Sequence, residues 1–370
     1  MFGRQKSVPA EADTGALKIR VSQLAPCQHK LHILVGVEGV QPVREQVVQE
    51  FQKEAAIAGF RKGKAPRTMV ETKFPSEIRE ETIRRLTQQT FERVQHEKKL
   101  KPVGPFEITN LRFDDATGLE LEAQVEVEPE FALGNYRGLR VMRPAVAVTP
   151  EDVAQALTRI QDSMAELTPV EAGKPKERRV PPIDDELAKD VGFETLDQLK
   201  NHVTEKVREQ KQAEQARAVE QTVCDALLAQ YRFDVPPRLV EHQAERLRRD
   251  FHVRLLLSGL AEEQVKEQLG QYTEQLKTNA ARHVALGFIL ERIAQKEDLS
   301  VTQDEIVDRL WKLASRWRKD PNEVRRMLDE KGLWPSVLSS IRQEKTVQFL
   351  LSAARVEEAN NATEAVSTKQ

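Results

Sequence analysis

The chain has 370 residues, of which 31% are charged and only 5% aromatic, and its formal net charge is −2 at pH 7. A chain of this length exceeds what one hydrophobic core usually organises, so two or three domains are expected. The balanced charge excludes a global basic field that would attract nucleic acid, so any such affinity must be local. Cys27 and Cys224 match neither a disulfide framework nor the spacing of a metal pair.

The sequence also indicates where the protein works. No stretch approaches 18 uncharged apolar residues, which predicts that nothing spans a membrane. Residues 1–6 have no apolar run behind their charges, so no secretory signal is expected. These features predict a cytoplasmic protein in a reducing environment.

The N-terminal part predicts an α+β domain. Alternating apolar and polar residues predict strands at residues 16–24, 29–38, 106–113, 119–127 and 139–142. The period becomes helical over residues 41–58, and Gly59 is expected to end that helix. A second helical stretch covers residues 68–100, with an interruption at Pro75. This order indicates antiparallel strands with one long helical hairpin inserted between them, whose tip should project.

The rest of the chain is almost entirely helical in pattern. A helix capped by Thr149 is predicted to run to Leu167, and residues 168–185, rich in proline and charge, predict a linker. Further helices are predicted at residues 195–232, 237–257, 261–297, 302–318, 321–330 and 335–356. The small polar tail after Glu358 is expected to be disordered.

Motifs for catalysis, metal binding or cofactor binding are missing from the sequence. It contains no HExxH, no CxxC, no GxxxxGK[ST], no GxGxxG and no GxSxG. The carboxylates alternate with Lys and Arg, as on solvated helix faces. The sequence therefore predicts no catalytic residues, no metal and no cofactor.

The most distinctive stretch is residues 59–67, which combine four cations and one phenylalanine between two glycines and a proline. It lies at the turn of the predicted hairpin, where few apolar side chains are available to bury Phe60 and the charged side chains are expected to stay in water. We interpret it as a contact point for a large anionic partner. The other interpretation is an ordinary turn that is basic for solubility.

The segment Gly59-Phe60-Arg61-Lys62-Gly63-Lys64-Ala65-Pro66 resembles Gly-Phe-Arg-x-Gly-Lys-x-Pro, the ribosome-docking signature of the trigger factor family of bacterial chaperones. The signature is present without a mismatch. The resemblance extends through residues 15–150 and resumes from about residue 176, through Asp234-Val235-Pro236, to residue 349. It implies a ribosome-binding site formed by Gly59, Phe60, Arg61, Lys62, Gly63, Lys64 and Pro66. Phe60, Arg61 and Lys62 would make the main contacts, and Lys64 and Arg67 would add longer-range attraction.

The resemblance also implies an architecture. The expected fold is an α+β N-terminal ribosome-docking domain with a long helical hairpin, followed by an all-α, SurA-like chaperone domain. The expected divisions are a ribosome-binding domain at residues 1–148, a helix and short junction at 149–192, a substrate-binding helical domain at 193–358 and a tail at 359–370.

The function implied by the resemblance is that of an ATP-independent chaperone. It would dock at the ribosomal exit tunnel and shield nascent polypeptides. Its partners would be the large ribosomal subunit, through protein and RNA, and unfolded nascent chains, with a homodimer possible when free and no membrane or DNA. Candidate client contacts are the apolar helical residues Phe251, Leu255, Leu256, Leu257, Trp311, Trp317, Met327 and Trp334, although such residues more often form core.

One departure from the family concerns catalysis. Trigger factors usually carry an FKBP-like prolyl isomerase domain between the docking and helical domains. Residues 168–185 provide only 18 residues without an aromatic side chain, whereas a folded domain needs at least roughly 50. The sequence therefore predicts that this chain lacks the isomerase domain. Because that domain carries the catalytic activity of the family, the chain is not expected to be an enzyme.

Two alternatives remain open from the sequence. The chain could be a prolyl isomerase whose activity lies elsewhere, or an assembly chaperone working away from the ribosome, as the similar helical domain of periplasmic SurA-type proteins does. The lack of a signal peptide argues against the periplasm, and the intact docking signature argues against independence from the ribosome.

Overall fold

A five-stranded antiparallel sheet forms the N-terminal part of the protein in the computed structural model, which describes residues 12–14, 17–58, 60–164, 166–168 and 177–358. The strands are β1 (Ala12–Thr14), β2 (Leu17–Ala25), β3 (Gln28–Val35), β4 (Glu107–Asp114) and β5 (Gly118–Glu126), in the order β1–β2–β3–β5–β4. Four of the five predicted strands are thereby confirmed within this sheet, and the fifth lies in another sheet. The predicted strand at 29–38 ends earlier, at Val35, because a helix begins at Val37.

The alternation of side chains in the sequence separates the two faces of this sheet. Leu31 and Ile33 of β3 are fully buried beside Leu121 of β5, and they pack in one core with the helices above them. The opposite face is polar, with Lys30 paired to Glu122 at 3.2 Å and the ring of His32 3.1 Å from the Glu120 carboxylate. One face is therefore covered by helices and the other carries the charges, as period-two patterning predicts.

The helical hairpin between β3 and β4 consists of α1 (Val37–Glu54), α2 (Arg67–Lys73) and α3 (Pro75–Lys98). The predicted interruption at Pro75 is confirmed, since Pro75 is the first residue of α3. The prediction that α1 runs to residue 58 is wrong. It ends at Glu54 because Ala55 is extended, with φ −67° and ψ 134°, and Gly59 lies outside the described residues.

Ion pairs connect the two long helices of the hairpin. The Arg85 guanidinium in α3 donates to the Glu50 carboxylate of α1 at 2.9 Å and to Glu81 at 2.6 Å. Arg84 also donates to Glu81, at 2.7 Å. These hydrogen bonds from Arg84 and Arg85 lower the pKa of Glu81 from about 4.5 to about 2.

The chain forms two compact units, and the first consists of the residues up to Ala132 together with Tyr231–Phe288. The second stretch contributes α7 (Pro237–Leu257), α8 (Glu262–Gln271) and most of α9 (Thr273–Lys296). The buried Glu126 carboxylate at the end of β5 accepts from the backbone N–H of Arg238 at 2.9 Å and from the Gln28 amide at 3.1 Å. The Phe131 ring stacks on Phe233 with centroids 4.3 Å apart. Helices distant in sequence are thus fixed to the N-terminal sheet.

The second unit contains residues 133–230 and those from 289 onward. Its elements are β6 (Arg140–Arg143), α4 (Pro150–Ser163), β7 (Glu166–Thr168), β8 (Glu177–Arg179), α5 (Asp185–Asp190), α6 (Leu196–Gln230), α10 (Gln303–Trp317), α11 (Pro321–Glu330), α12 (Trp334–Ala353) and β9 (Arg355–Glu358). The domain boundaries inferred from the family resemblance follow chain order and stay a prediction.

The strand predicted at 139–142 is confirmed as β6, but it does not join the N-terminal sheet. The prediction that the last helix reaches residue 356 is wrong, because that helix stops at Ala353. Instead, β6 and β9 form a parallel pair, in which Val141 lies opposite Val356. Val141 is fully buried, and the Arg355 N–H donates to the Leu139 carbonyl at 2.8 Å.

Two other segments also differ from the prediction. The predicted linker at 168–185 contains the last residue of β7 and all of β8, which pair antiparallel, while residues 169–176 lie outside the described part. After β8, helix α5 packs beside α6, and its residues Leu187 and Ala188 are buried.

The single helix predicted at 261–297 is two helices, α8 and α9, which are separated at Tyr272. The break closely follows Gly270, a weak helix former. The predicted disordered tail lies outside the described residues.

Among the described residues, no helix has both the length and the apolar character needed to cross a membrane.

The pKa of Glu81 predicts a pH dependence for the hairpin. Because that pKa is lower in the folded chain than its ordinary value, the ionised carboxylate stabilises the fold above about pH 4.5. The contribution should be lost as the pH falls toward about 2. In urea unfolding, Glu81→Gln should therefore lower the free energy of unfolding at about pH 6 and have a smaller effect at about pH 3.

A matched control is Glu80→Gln on the same helix. This exposed side chain has no ion pair with any residue that the structure describes, so its variant should stay close to wild type. A Glu81→Gln effect of the same size at both pH values would contradict the stabilising role of the charged carboxylate.

Candidate functional site

The loop between α1 and α2 is built from two successive turns. The Phe60 N–H donates to the Ile57 carbonyl at 3.0 Å, and the Lys64 N–H donates to the Arg61 carbonyl at 2.9 Å. Gly63 closes the second turn with φ +80°, in the left-handed region that glycine adopts without steric cost.

A small apolar cluster, which we call the tip cluster, fixes both ends of this loop. It consists of buried residues from all three helices and the loop, namely Val47, Val48, Ile57, Ala65, Val70 and Ile78. Phe51, Ala55 and Phe74 pack against it. Ile57 is 7% exposed and Ala65 is 2% exposed, so the residues between them are anchored at each end. Removal of this apolar surface from water stabilises the loop without using its charged residues.

Helix α1 reaches the loop through a polar contact as well. The side-chain amide of Gln52 donates to the carbonyl oxygen of Ala65 at 2.7 Å. This contact closes the loop at its second end, directly before Pro66.

Six of the seven site residues predicted from the sequence lie together on the described part of this loop. Phe60 is 39% exposed, which is unusual for a phenylalanine, and Arg61, Lys62, Lys64 and Pro66 are exposed. Gly63 is at the turn described above, whereas Gly59 lies outside the described residues. The loop thus presents one apolar ring among three cations.

The three cations are not neutralised by the protein itself. Arg61, Lys62 and Lys64 form no ion pair with any residue in the part of the chain that the structure describes. Lys53 on the last turn of α1 is also exposed, and its carbonyl oxygen lies close to Gly63. The sequence pattern did not indicate Lys53, because it lies on α1 outside residues 59–67. The tip therefore concentrates positive charge although the whole chain is slightly acidic.

Arg67 differs from these cations. Its guanidinium donates to Glu71 at 3.3 Å and to Glu45 at 3.1 Å, and these contacts raise the pKa of Arg67. Arg44 of α1 also pairs with Glu71, at 3.0 Å. Arg67 is thus part of a network between α1 and α2, and it adds less attraction for an anionic partner than the three unpaired cations.

The candidate client residues separate into exposed and half-buried groups. In the first unit, Leu257 is 83% exposed at the end of α7 and Leu256 is exposed beside it, while Phe251 packs against Tyr272 with ring centroids 5.4 Å apart. In the second unit, Trp311 is 61% exposed on α10 and Trp317 is exposed at its end.

Trp334 has a structural role in the second unit. Its indole N–H donates to the Asp329 carboxylate at 2.6 Å, and it packs against the buried cluster of α10 and α11. Met327 is likewise half-buried. Both are therefore weaker candidates for binding a client than the exposed leucines and tryptophans.

The described residues contain no group of three or more His, Cys, Asp or Glu placed to hold a metal ion. Cys27 and Cys224 are free thiols, and burial raises the pKa of both.

Comparisons with known proteins agree in one family. A family model described as bacterial trigger factor protein (TF) matches residues 17–160, and the model of the C-terminus of that protein matches residues 195–352. The trigger factor of Geobacillus sp. is 26% identical over 429 aligned residues, which cover 92% of this chain and 100% of that protein. The trigger factor of Carboxydothermus hydrogenoformans is 26% identical over 427 residues, with the same shares covered.

A solved structure is also similar. It is described as "Promiscuous Substrate Recognition in Folding and Assembly Activities of the Trigger Factor Chaperone", with a TM-score of 0.46 and 19% sequence identity. The match covers 90% of this chain and 99% of that one.

The curated relatives contain sequence that this chain lacks. The alignment with the Geobacillus protein has 429 positions, whereas this chain has 370 residues in all. Between the two family matches, this chain provides only residues 161–194, too few for a further folded domain of at least roughly 50 residues. The chain is thus a form without the isomerase domain.

The backbone of Gly63 generates a prediction about the loop. A side chain at φ +80° is strained, although an added Cβ would meet only ordinary contacts, the nearest at 3.6 Å from the Lys53 carbonyl oxygen. Gly63→Ala should therefore lower the free energy of opening the loop by roughly 1–2 kcal/mol, and Gly63→Asn by less. Hydrogen exchange of the Lys64 amide, which is bonded within the second turn, measures this change.

Gly104→Ala is the matched control. Gly104 does not have a positive φ, and an added Cβ would meet nothing within 4 Å. This variant should leave the exchange of the Lys64 amide unchanged. Equal exchange in the Gly63→Ala variant and the wild type would mean that the turn does not depend on glycine.

Proposed function

We propose that this chain, which belongs to the bacterial trigger factor family and is a ribosome-associated chaperone, docks through the loop at residues 60–66. The exposure of the charged and aromatic side chains on this loop supports the proposal. Three unpaired cations and a half-exposed Phe60 lie between two buried anchors. A surface of this kind is suited to a partner that is both anionic and apolar.

The proposed partner is the large ribosomal subunit near the exit tunnel. Arg61 and Lys62 would pair with RNA phosphates or acidic side chains of a ribosomal protein. Phe60 would enter an apolar niche, as aromatic residues at the centres of interfaces commonly do. Lys64 and Lys53 would add attraction that does not require close contact. Gly63 and Pro66 complete the proposed site by shaping the loop, and Gly59 belongs to it through the sequence signature.

Client binding is proposed to be passive. The sequence has no phosphate-binding loop, so binding and release would not depend on ATP. Exposed apolar side chains, notably Leu256 and Leu257 in the first unit and Trp311 and Trp317 in the second, would contact unfolded chains weakly and without sequence preference. Docking at the tunnel raises the local concentration of nascent chain, so weak contacts suffice.

The proposed function also has a cellular location and an oligomeric state. The protein would work in the cytoplasm, without cofactor, membrane or DNA, because its partners are ribosomes and nascent chains. When free of ribosomes, two copies could cover each other's apolar side chains in a homodimer. The missing domain of the relatives is proposed to have its place in the junction at residues 149–192.

Ribosome binding tests the docking site. Co-sedimentation should show that Phe60→Ala/Arg61→Ala/Lys62→Ala binds at least roughly tenfold more weakly than wild type, with the fold unchanged by circular dichroism. If both cations contact phosphates, the slope of log affinity against log salt should also fall in magnitude by about 1.5.

The chain offers a matched control in Arg316→Ala/Trp317→Ala/Arg318→Ala. This set removes the same number of charges and one exposed aromatic ring from the end of α10. It should pellet as wild type does with ribosomes that carry no nascent chain, because the proposed client contact of Trp317 has no part in that binding. Equal pelleting of the loop variant and the wild type would end the proposal for this loop.

The proposal also includes a lack of prolyl isomerase activity. The purified chain should not accelerate the refolding of a model protein whose slow phase is limited by proline isomerisation. It should, however, reduce aggregation of the same protein without ATP. Acceleration of the slow phase would favour the alternative of an isomerase.

A further inference from the structure

A side chain outside the signature contacts the backbone of the docking loop. Gln52 lies on the last turns of α1, and its amide nitrogen is 2.7 Å from the carbonyl oxygen of Ala65. The contact joins residues thirteen apart in sequence. It therefore fixes the distance between the end of α1 and the point at which the chain leaves the loop.

The accepting group, the Ala65 carbonyl, is buried and directly precedes a proline. Ala65 is 2% exposed, so its surroundings offer little water to its carbonyl. The next residue, Pro66, has no N–H, and a residue before proline is restricted to extended conformations. Because Ala65 directly follows Lys64, the orientation of its peptide group sets the direction of the turn that carries Arg61, Lys62 and Lys64.

Gln52 is suited to this position because it is neutral. A lysine or arginine could also donate to the carbonyl, but it would add another cation beside Lys53, and like charges repel. A carboxylate would offer no donor and would attract the cations of the loop inward. The glutamine amide supplies a hydrogen bond and leaves the charges of the loop unpaired.

We propose that Gln52 is a positioning residue for ribosome docking: it holds the loop at residues 60–66 in the conformation that binds, without itself contacting the ribosome. This inference rests on the proposed function of the loop. A loop that is only partly populated in its binding conformation has an apparent affinity reduced by that fraction.

The test compares Gln52→Met with wild type. Methionine has a similar length but cannot donate a hydrogen bond, and it does not change the charge. Loss of one neutral hydrogen bond should weaken ribosome binding about three- to tenfold. The salt dependence of binding should keep its slope, because every cation is still present. In the free protein, the bonded amides of Phe60 and Lys64 should exchange faster by a similar factor.

Gln49→Met is the control variant. Gln49 is exposed on the same helix and forms no hydrogen bond with the residues that the structure describes, so this variant should match the wild type in both measurements. If Gln52 had only a general structural role, Gln52→Met would lower the free energy of unfolding but would bind ribosomes as wild type does.

The outcomes separate the two proposals. If Arg61→Ala/Lys62→Ala weakens docking and Gln52→Met does not, the inference about Gln52 is wrong and the docking site stands. If neither variant weakens docking, the proposed function of the loop fails. In that case the exchange of the Phe60 and Lys64 amides still decides whether Gln52 orders the loop, and unchanged exchange would overturn that role.

Discussion

Burial of two apolar side chains, Ile57 and Ala65, is the constraint on which the conformation of the loop at residues 60–66 depends. A segment with several cations has no tendency of its own to adopt one shape, because like charges repel and each is well hydrated. The tip cluster supplies the missing stabilisation from its flanks, since both anchors pack with Val47 and Val70 of the neighbouring helices. The shape of the loop therefore depends on apolar contacts, and its exposed residues stay available for a partner.

The hairpin distributes its charges unevenly, and this distribution explains how an acidic chain can present a basic surface. Arg44, Arg67 and Arg85 each pair with carboxylates on the same hairpin. Exposed ion pairs of this kind contribute at most about 1 kcal/mol each, so their larger effect is local neutralisation. Arg61 and Lys62 at the tip have no such partner among the described residues, so the positive field of the hairpin is concentrated there.

Local patterns in the sequence predicted the parts of the fold that are held by local contacts. Period-two alternation located β2, β3, β4 and β5, proline located the starts of α3, α7 and α11, and the cations with Phe60 located the exposed loop. The missed features join residues far apart in sequence. Nothing near residue 140 indicates its pairing with residue 355, and nothing near Ala65 indicates its bond to Gln52. One contact that holds α7 on the N-terminal sheet comes from Glu126, whose burial no local pattern reveals.

The short connection between α4 and α6 gives a physical reason why a family member can lack a domain and keep its fold. The antiparallel pair of β7 and β8 places Thr168 opposite Glu177, so the chain leaves and returns at neighbouring points. Domain insertion and removal are tolerated where chain ends lie close together, because the rest of the fold meets the same two attachment points in either form. Beyond this pair, Leu187 and Ala188 are buried, and a cluster of Leu157, Ala188 and Leu199 joins α4, α5 and α6. The second unit thus completes its own core at this connection, and its packing does not require an inserted domain.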